Sequence, residues 1–66
     1  MIKVYINGQA TETKVQNLAA LLLERQFDMA SIAVAVDGEF VAKAYYHSTL
    51  LQAEQKIEVL APMQGG

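Results

Sequence analysis

The group in this chain that is best suited to chemistry is the carboxylate of Gly66, at the end of the segment Pro62-Met63-Gln64-Gly65-Gly66. Glycine has no side chain, so Gly65 and Gly66 could enter a narrow channel where a β-carbon would collide with the walls. Pro62 restricts its own φ angle and would hold the base of the segment extended. The pattern predicts an accessible carboxylate that a second protein could bind and modify, unless the two glycines stand there by chance.

The rest of the sequence offers little catalytic chemistry. It contains no cysteine, and therefore no thiol nucleophile, disulfide or thiolate metal site. Its one histidine, His47, cannot form a histidine metal cluster and is expected at the surface. A net charge of -2 with five basic residues argues against a nucleic-acid surface. No apolar run approaches about 18 residues and no signal segment opens the chain, so we expect a cytoplasmic protein without membrane contact. With so few residues suited to chemistry, we also expect no bound cofactor or metal.

The chain opens with the pattern of a β-hairpin. Apolar and polar residues alternate over 1–7, which is the period of a half-buried strand. Asn7-Gly8 tolerates the positive φ angles of a type I′ turn. The polar, threonine-containing segment 9–13 then predicts a return strand at a solvated edge of the sheet.

One helix is predicted over 15–26, which is rich in alanine and leucine. Thr13 and Gln16 have the spacing of a capping box at its start, and Asn17 is a rival cap that would start the helix later. Three leucines recur at helical spacing and should face the sheet: Leu18, Leu21 and Leu22.

Three further strands are predicted after the helix. The segments 32–36 and 40–43 flank Asp37-Gly38, a second type I′ turn signal. An irregular stretch over 44–55 precedes the last strand, 56–61. Tyr45-Tyr46 in this stretch could be rim contacts for a partner or packing residues whose hydroxyls stay wet.

The element order is therefore β-β-α-β-β-β, an α+β arrangement with a mixed sheet of four to five strands and one helix across one face. The last strand should enter the middle of the sheet beside the first. The other face is then open, lined by the small Ala33 and Ala35, which leave room for close approach. Tyr5, Phe40 and Leu60 are the candidate partner-binding residues, and the flexible Met63 could assist docking.

These features resemble the ThiS family, the sulfur carriers of thiamine biosynthesis, which have the ubiquitin-like β-grasp fold. The resemblance covers nearly the whole chain and is carried by Ala-Val-Asp-Gly-Glu at 35–39 and by the strand, proline, spacer and diglycine of 57–66. The chain departs from the family at 43–46, where an Arg-x-x-Trp-like element is usual, and at Glu54-Gln55, where a Gly-Asp turn is usual.

The resemblance implies a single β-grasp domain over 1–66, with a flexible tail at 62–66, that carries sulfur without catalytic residues. A ThiF-like adenylating enzyme would use ATP to convert the Gly66 carboxylate to an acyl-adenylate. A sulfur donor system with a cysteine desulfurase would then leave a thiocarboxylate on Gly66, and a ThiG-like thiazole synthase would accept that sulfur.

Three alternatives stay open. A MoaD-like small subunit of molybdopterin synthase has the same fold and the same terminal thiocarboxylate, although its members are typically longer. A ubiquitin-like protein modifier would use the activated Gly66 carboxylate to form isopeptide bonds. An interaction domain with an accidental diglycine would use neither.

Overall fold

Two hairpins and a final strand form one five-stranded mixed sheet in the computed structural model, which describes residues 1–61. The strands are β1 (Ile2–Ile6), β2 (Gln9–Thr13), β3 (Ala33–Val36), β4 (Glu39–Val41) and β5 (Lys56–Leu60). Their order across the sheet is β2-β1-β5-β3-β4. The β1–β5 pair is parallel and the other three pairs are antiparallel. The predicted element order, the edge position of β2 and the central position of the last strand beside the first are confirmed.

Both hairpins turn where the sequence predicts. Asn7 and Gly8 have φ angles of 50° and 85°, and Asp37 and Gly38 have φ angles of 51° and 88°. Each turn is a two-residue loop between paired strand ends, and positive φ at both positions matches the right-handed twist of the flanking strands.

The core lies between the helix α1 (Leu18–Glu24) and one face of the sheet. Its most buried large side chains come from the helix and from three strands: Val4, Leu18, Leu21, Leu22, Val34 and Ile57. The predicted leucine stripe is therefore confirmed. Each such side chain contributes about 1.5–3 kcal/mol when it leaves water, so a few of them dominate the stability of a small domain.

The helix begins at Leu18, three residues later than predicted, and the capping box between Thr13 and Gln16 is wrong. Asn17, the rival candidate, is the N-cap: its Oδ1 accepts a hydrogen bond from the amide of Ala20 at 2.8 Å. The backbone of Asn17 is extended, so the helix cannot start earlier.

The two other free amides of the first helical turn are satisfied by a distant segment. Leu18 donates to the carbonyl of Thr49 at 2.9 Å, and Ala19 donates to the carbonyl of Tyr46 at 3.0 Å. The Tyr46 side chain is 2% exposed and packs in the core, whereas Tyr45 is 62% exposed. Tyr46 is therefore a packing residue. The carbonyls of the irregular stretch before β5 accept the first amides of the helix and so stabilise its start.

The helix ends at Glu24, two residues earlier than predicted, in a Schellman motif. Phe27 donates its amide to the carbonyl of Leu22 at 2.9 Å, and Gln26 donates to the carbonyl of Leu23 at 3.0 Å. Gln26 adopts a φ of 65° at the position where glycine is usual. The hydrogen bonds that end the helix therefore hold Gln26, a residue that gives no such signal, in a left-handed conformation.

Strand ends differ from the predictions by one or two residues. β3 begins at Ala33 rather than at 32, and β4 spans Glu39–Val41 rather than 40–43. Lys43–Tyr45 instead forms a turn of 3-10 helix, and a second such turn, Met29–Ser31, lies in the connection before β3.

Candidate docking face and chain terminus

The predicted reactive end of the chain begins just beyond the central strand. Gly66 and the segment that carries it, residues 62–66, lie outside the described residues. Their base is β5, which is held between β1 and β3, with Val59 opposite Val34 and Ile57 opposite Val36. Gly66 is thus separated by only a few residues from the central strand, which is paired with a neighbour on each side.

Strand pairing brings two of the predicted partner-binding residues together. Cross-strand partners share a face, so Phe40, Ala35 and Glu58 form one row and Ala33 and Leu60 form the next. This face is opposite the one that packs against the helix, since the core residues alternate with these positions. Phe40 is 76% exposed and Leu60 is 58% exposed. Two large apolar side chains therefore stand on adjacent rows of the uncovered face, which we name the docking face.

The expectation that both alanines offer room for a partner is wrong for Ala35. It lies on the predicted face but is only 7% exposed, between the longer residues Phe40 and Glu58 of its row. Ala33, beside Leu60, is half-buried. A partner would therefore meet this face through Phe40 and Leu60 rather than through the alanines.

Tyr5 is on the same face but apart from this pair. It lies opposite Lys56 at the start of β5, so four residues, or about 13 Å of strand, separate its row from that of Leu60. Its hydroxyl donates to Glu54 Oε1 at 3.3 Å, and the Lys3 ammonium lies 5.5 Å from its ring centroid. The Tyr5 side chain and then the Glu54 charge raise the pKa of Lys3. Tyr5 is half-buried and already engaged, so it lies at the edge of the docking face.

Glu58 is a candidate that the sequence reasoning did not assign to docking. It is exposed on β5, two residues before Leu60, and lies in the row of Phe40 on the other side of Ala35. The alternation of β5 was enough to find it, because residues two apart on a strand share a face. The docking face therefore combines two apolar side chains with one carboxylate.

The remaining candidates contribute little chemistry. His47 is exposed, as predicted. Within residues 1–61, no group of three His, Cys, Asp or Glu side chains is arranged to hold a metal ion. No helix in this same part of the chain has the length and apolar character needed to cross a membrane.

A mixed sheet with one helix across one face and a central last strand defines a ubiquitin-like β-grasp protein. The model of the ThiS family matches residues 4–66, and the chain belongs to this family. ThiS proteins are small sulfur carriers that work with the enzymes of thiamine biosynthesis, and they are not catalysts themselves.

Two solved structures share the fold. A crystal structure of the thiamine biosynthesis protein ThiS from Geobacter metallireducens is 20% identical, covers 98% of this chain and 100% of its own, and has a TM-score of 0.82. An NMR solution structure of a thiamine biosynthesis protein from the same organism is 22% identical, covers 98% of this chain and 88% of its own, and has a TM-score of 0.80. No curated protein matches the chain.

Proposed function

We propose that this chain carries sulfur, as a thiocarboxylate on Gly66, to the thiazole ring of thiamine. A ThiF-like enzyme binds ATP, and a carboxylate oxygen of Gly66 attacks the α-phosphorus, so that pyrophosphate leaves and an acyl-adenylate forms. A cysteine desulfurase transfers sulfur from cysteine as a persulfide, which displaces AMP to give an acyl disulfide. A thiol reductant then cleaves this disulfide and leaves the thiocarboxylate. A ThiG-like thiazole synthase takes up the sulfur. The chain itself binds no cofactor, because the partner enzyme supplies the ATP site.

The order of steps follows from the chemistry of a carboxylate. Its negative charge repels nucleophiles and its oxygen is a poor leaving group, so direct attack by sulfur is too slow. Adenylation neutralises the charge and provides AMP as the leaving group. The resulting thiocarboxylate keeps a nucleophilic sulfur at neutral pH. Because the sulfur is held at the chain terminus, the carrier needs no thiol of its own, which agrees with the absence of cysteine. A cysteine-free chain is also compatible with the reducing cytoplasm in which we place the reaction.

The observation that carries this proposal is that the family match runs through residue 66 and so includes both terminal glycines. The structure supports it with a suitable platform. β5 leads directly into the terminal segment, and Phe40 and Leu60 stand exposed on the docking face. We propose that this pair contacts the adenylating enzyme, that Tyr5 lies at the edge of the contact, and that Glu58 pairs with a basic group of the enzyme.

The test is the intact mass of the chain after incubation with a ThiF-like enzyme, ATP and a sulfur source. We expect a mass increase equal to the exchange of one oxygen for sulfur, and no increase when ATP is omitted. The modified chain should then support thiazole formation by a ThiG-like synthase. An unchanged mass would contradict the carrier function, and conjugates to lysine side chains would identify a protein modifier instead.

A further inference from the structure

The side chain of Asn7 is hydrogen-bonded to both backbone groups of Val59. Asn7 Oδ1 accepts from the Val59 amide at 2.8 Å, and Asn7 Nδ2 donates to the Val59 carbonyl at 3.3 Å. The backbone amide of Asn7 also donates to the carbonyl of Ile57 at 2.9 Å. One turn residue therefore binds two successive inward-facing positions of β5.

This contact replaces a missing length of β1. The strand ends at Ile6, and the chain turns away through Asn7 and Gly8, so its backbone cannot continue beside β5. A primary amide carries the same donor and acceptor as a peptide group, and the Asn7 side chain extends the parallel ladder by one position. Val59 is only 6% exposed and both of its bonds to Asn7 are partly buried, so removing the Asn7 side chain takes away a hydrogen-bond partner that water replaces poorly.

We propose that Asn7 is a positioning residue for the C-terminal carboxylate. Val59 is held by Asn7 on one side and is paired with Val34 on the other, so the direction of the chain is set just before Leu60 and Ala61. Gly66 follows five residues after Ala61, and an adenylating enzyme docked on the sheet must receive it in its active site. This inference rests on the proposed function. In it, Asn7 sets the direction in which the chain leaves β5 toward Gly66.

The second hairpin offers a matched control at the opposite end of β5. Asp37 also has a positive φ, of 51°. Its amide donates to the Lys56 carbonyl at 2.7 Å, and its Oδ1 accepts from the Lys56 amide at 2.9 Å. Asp37 thus makes the same kind of contact where β5 begins, away from Gly66.

The experiment compares Asn7→Gly with Asp37→Gly, because glycine keeps the left-handed turn while removing the side-chain contacts. Adenylate formation by a ThiF-like enzyme is measured at a temperature where circular dichroism shows both variants folded. We expect Asn7→Gly to lower kcat roughly tenfold with an unchanged KM, because docking survives while the carboxylate is misplaced. We expect Asp37→Gly to behave like the unmodified protein. Equal kcat values for the two variants, or a change in KM alone, would overturn the proposal.

A second measurement does not depend on the adenylating enzyme. The NMR order parameters of the Leu60 and Ala61 amides should fall in Asn7→Gly and stay unchanged in Asp37→Gly. If the unmodified chain forms no adenylate, the proposed function fails, and the order parameters still decide whether Asn7 fixes this end of β5. Order parameters that are unchanged in Asn7→Gly refute the positioning role.

Discussion

The hydroxyl of Thr13 donates a hydrogen bond to Oε1 of Glu24 at 2.9 Å, which joins the end of β2 to the last residue of α1. The same hydroxyl oxygen accepts from the amide of Val15 at 3.2 Å. Thr13 is only 3% exposed, whereas the Glu24 side chain is 40% exposed, so both bonds are partly buried. The residue that was predicted to cap the start of the helix instead ties its end to the first hairpin.

Replacing Thr13 by valine should lower the free energy of unfolding by about 1–2 kcal/mol, because the Val15 amide and the Glu24 carboxylate lose a buried partner. Urea unfolding measures the change. Thr11→Val on the same strand is the control, since within residues 1–61 the Thr11 hydroxyl bonds only the nearby carbonyl of Gln9, at 3.3 Å. An equal loss in the two variants would contradict the interpretation.

Asn17→Ala should destabilise the protein by about 1 kcal/mol, the typical loss for an N-cap side chain. The reason is that the amide of Ala20 loses its acceptor, Asn17 Oδ1. Gln16→Ala should change stability little, because Gln16 is exposed and, in the described part of the chain, only its backbone carbonyl is engaged, accepting from the Leu51 amide. Thermal unfolding of both variants decides between the two caps, and a larger effect at Gln16 would restore the capping box.

The neighbouring tyrosines should differ sharply. Tyr46→Ala should cost about 3–5 kcal/mol, as expected when a buried aromatic side chain is truncated and leaves a cavity. Tyr45→Ala should fall within about 0.5 kcal/mol of the unmodified protein, because Tyr45 is 62% exposed. Where Tyr46→Ala is too unstable to study at ordinary temperature, Tyr46→Leu at reduced temperature supplies the comparison. Similar losses for Tyr45 and Tyr46 would show that the burial difference is wrong.

Leu60→Asp should weaken binding to a ThiF-like enzyme about tenfold or more, because it places a charge in the centre of the proposed apolar contact. Leu23→Asp is the matched control: Leu23 is 61% exposed against 58% for Leu60, but it lies on the helix. Isothermal titration calorimetry gives the affinities, and thermal unfolding checks that both variants are folded. Equal affinities for the two variants would remove Leu60 from the interface.

Deletion of Gly66 should abolish thiocarboxylate formation and leave the fold intact. The carboxylate would then end on Gly65, one residue short of the position that the adenylating enzyme must reach. Intact mass reports the chemistry, and the melting temperature reports the fold. Gly66→Ala keeps the chain length and tests whether a β-carbon is tolerated; sulfur transfer by the deletion variant would contradict a specific role for the last residue.

Local features of this fold could be predicted because they depend on neighbouring residues. Asn7-Gly8 and Asp37-Gly38 form type I′ turns since these residue types accept positive φ at little steric cost. Apolar alternation located β1, β3 and β5, and the pairing of the strands then placed Phe40 and Leu60 on one face. The terminal diglycine, which needs no packing to be recognised, led to the proposed role of the Gly66 carboxylate and to the resemblance that the family match confirms.

Features that depend on distant partners could not be predicted in the same way. Asn17 was one of two predicted caps, but its support from the carbonyls of Thr49 and Tyr46, which accept the amides of Leu18 and Ala19, comes from more than 20 residues along the chain. Ala35 is buried because Phe40 and Glu58 flank it on adjacent strands.

Backbone preference and side-chain type are local properties, so the two turns, the strand faces and the chemistry proposed for Gly66 could be inferred without any structure. The contacts that support that end of the chain depend instead on how the strands pair in the folded protein. Folding places the side-chain amide of Asn7 against the backbone of Val59, 52 residues away. This contact completes the parallel ladder where the backbone of β1 turns aside. Such a contact has no sequence signature, because it exists only after the first and last strands have paired.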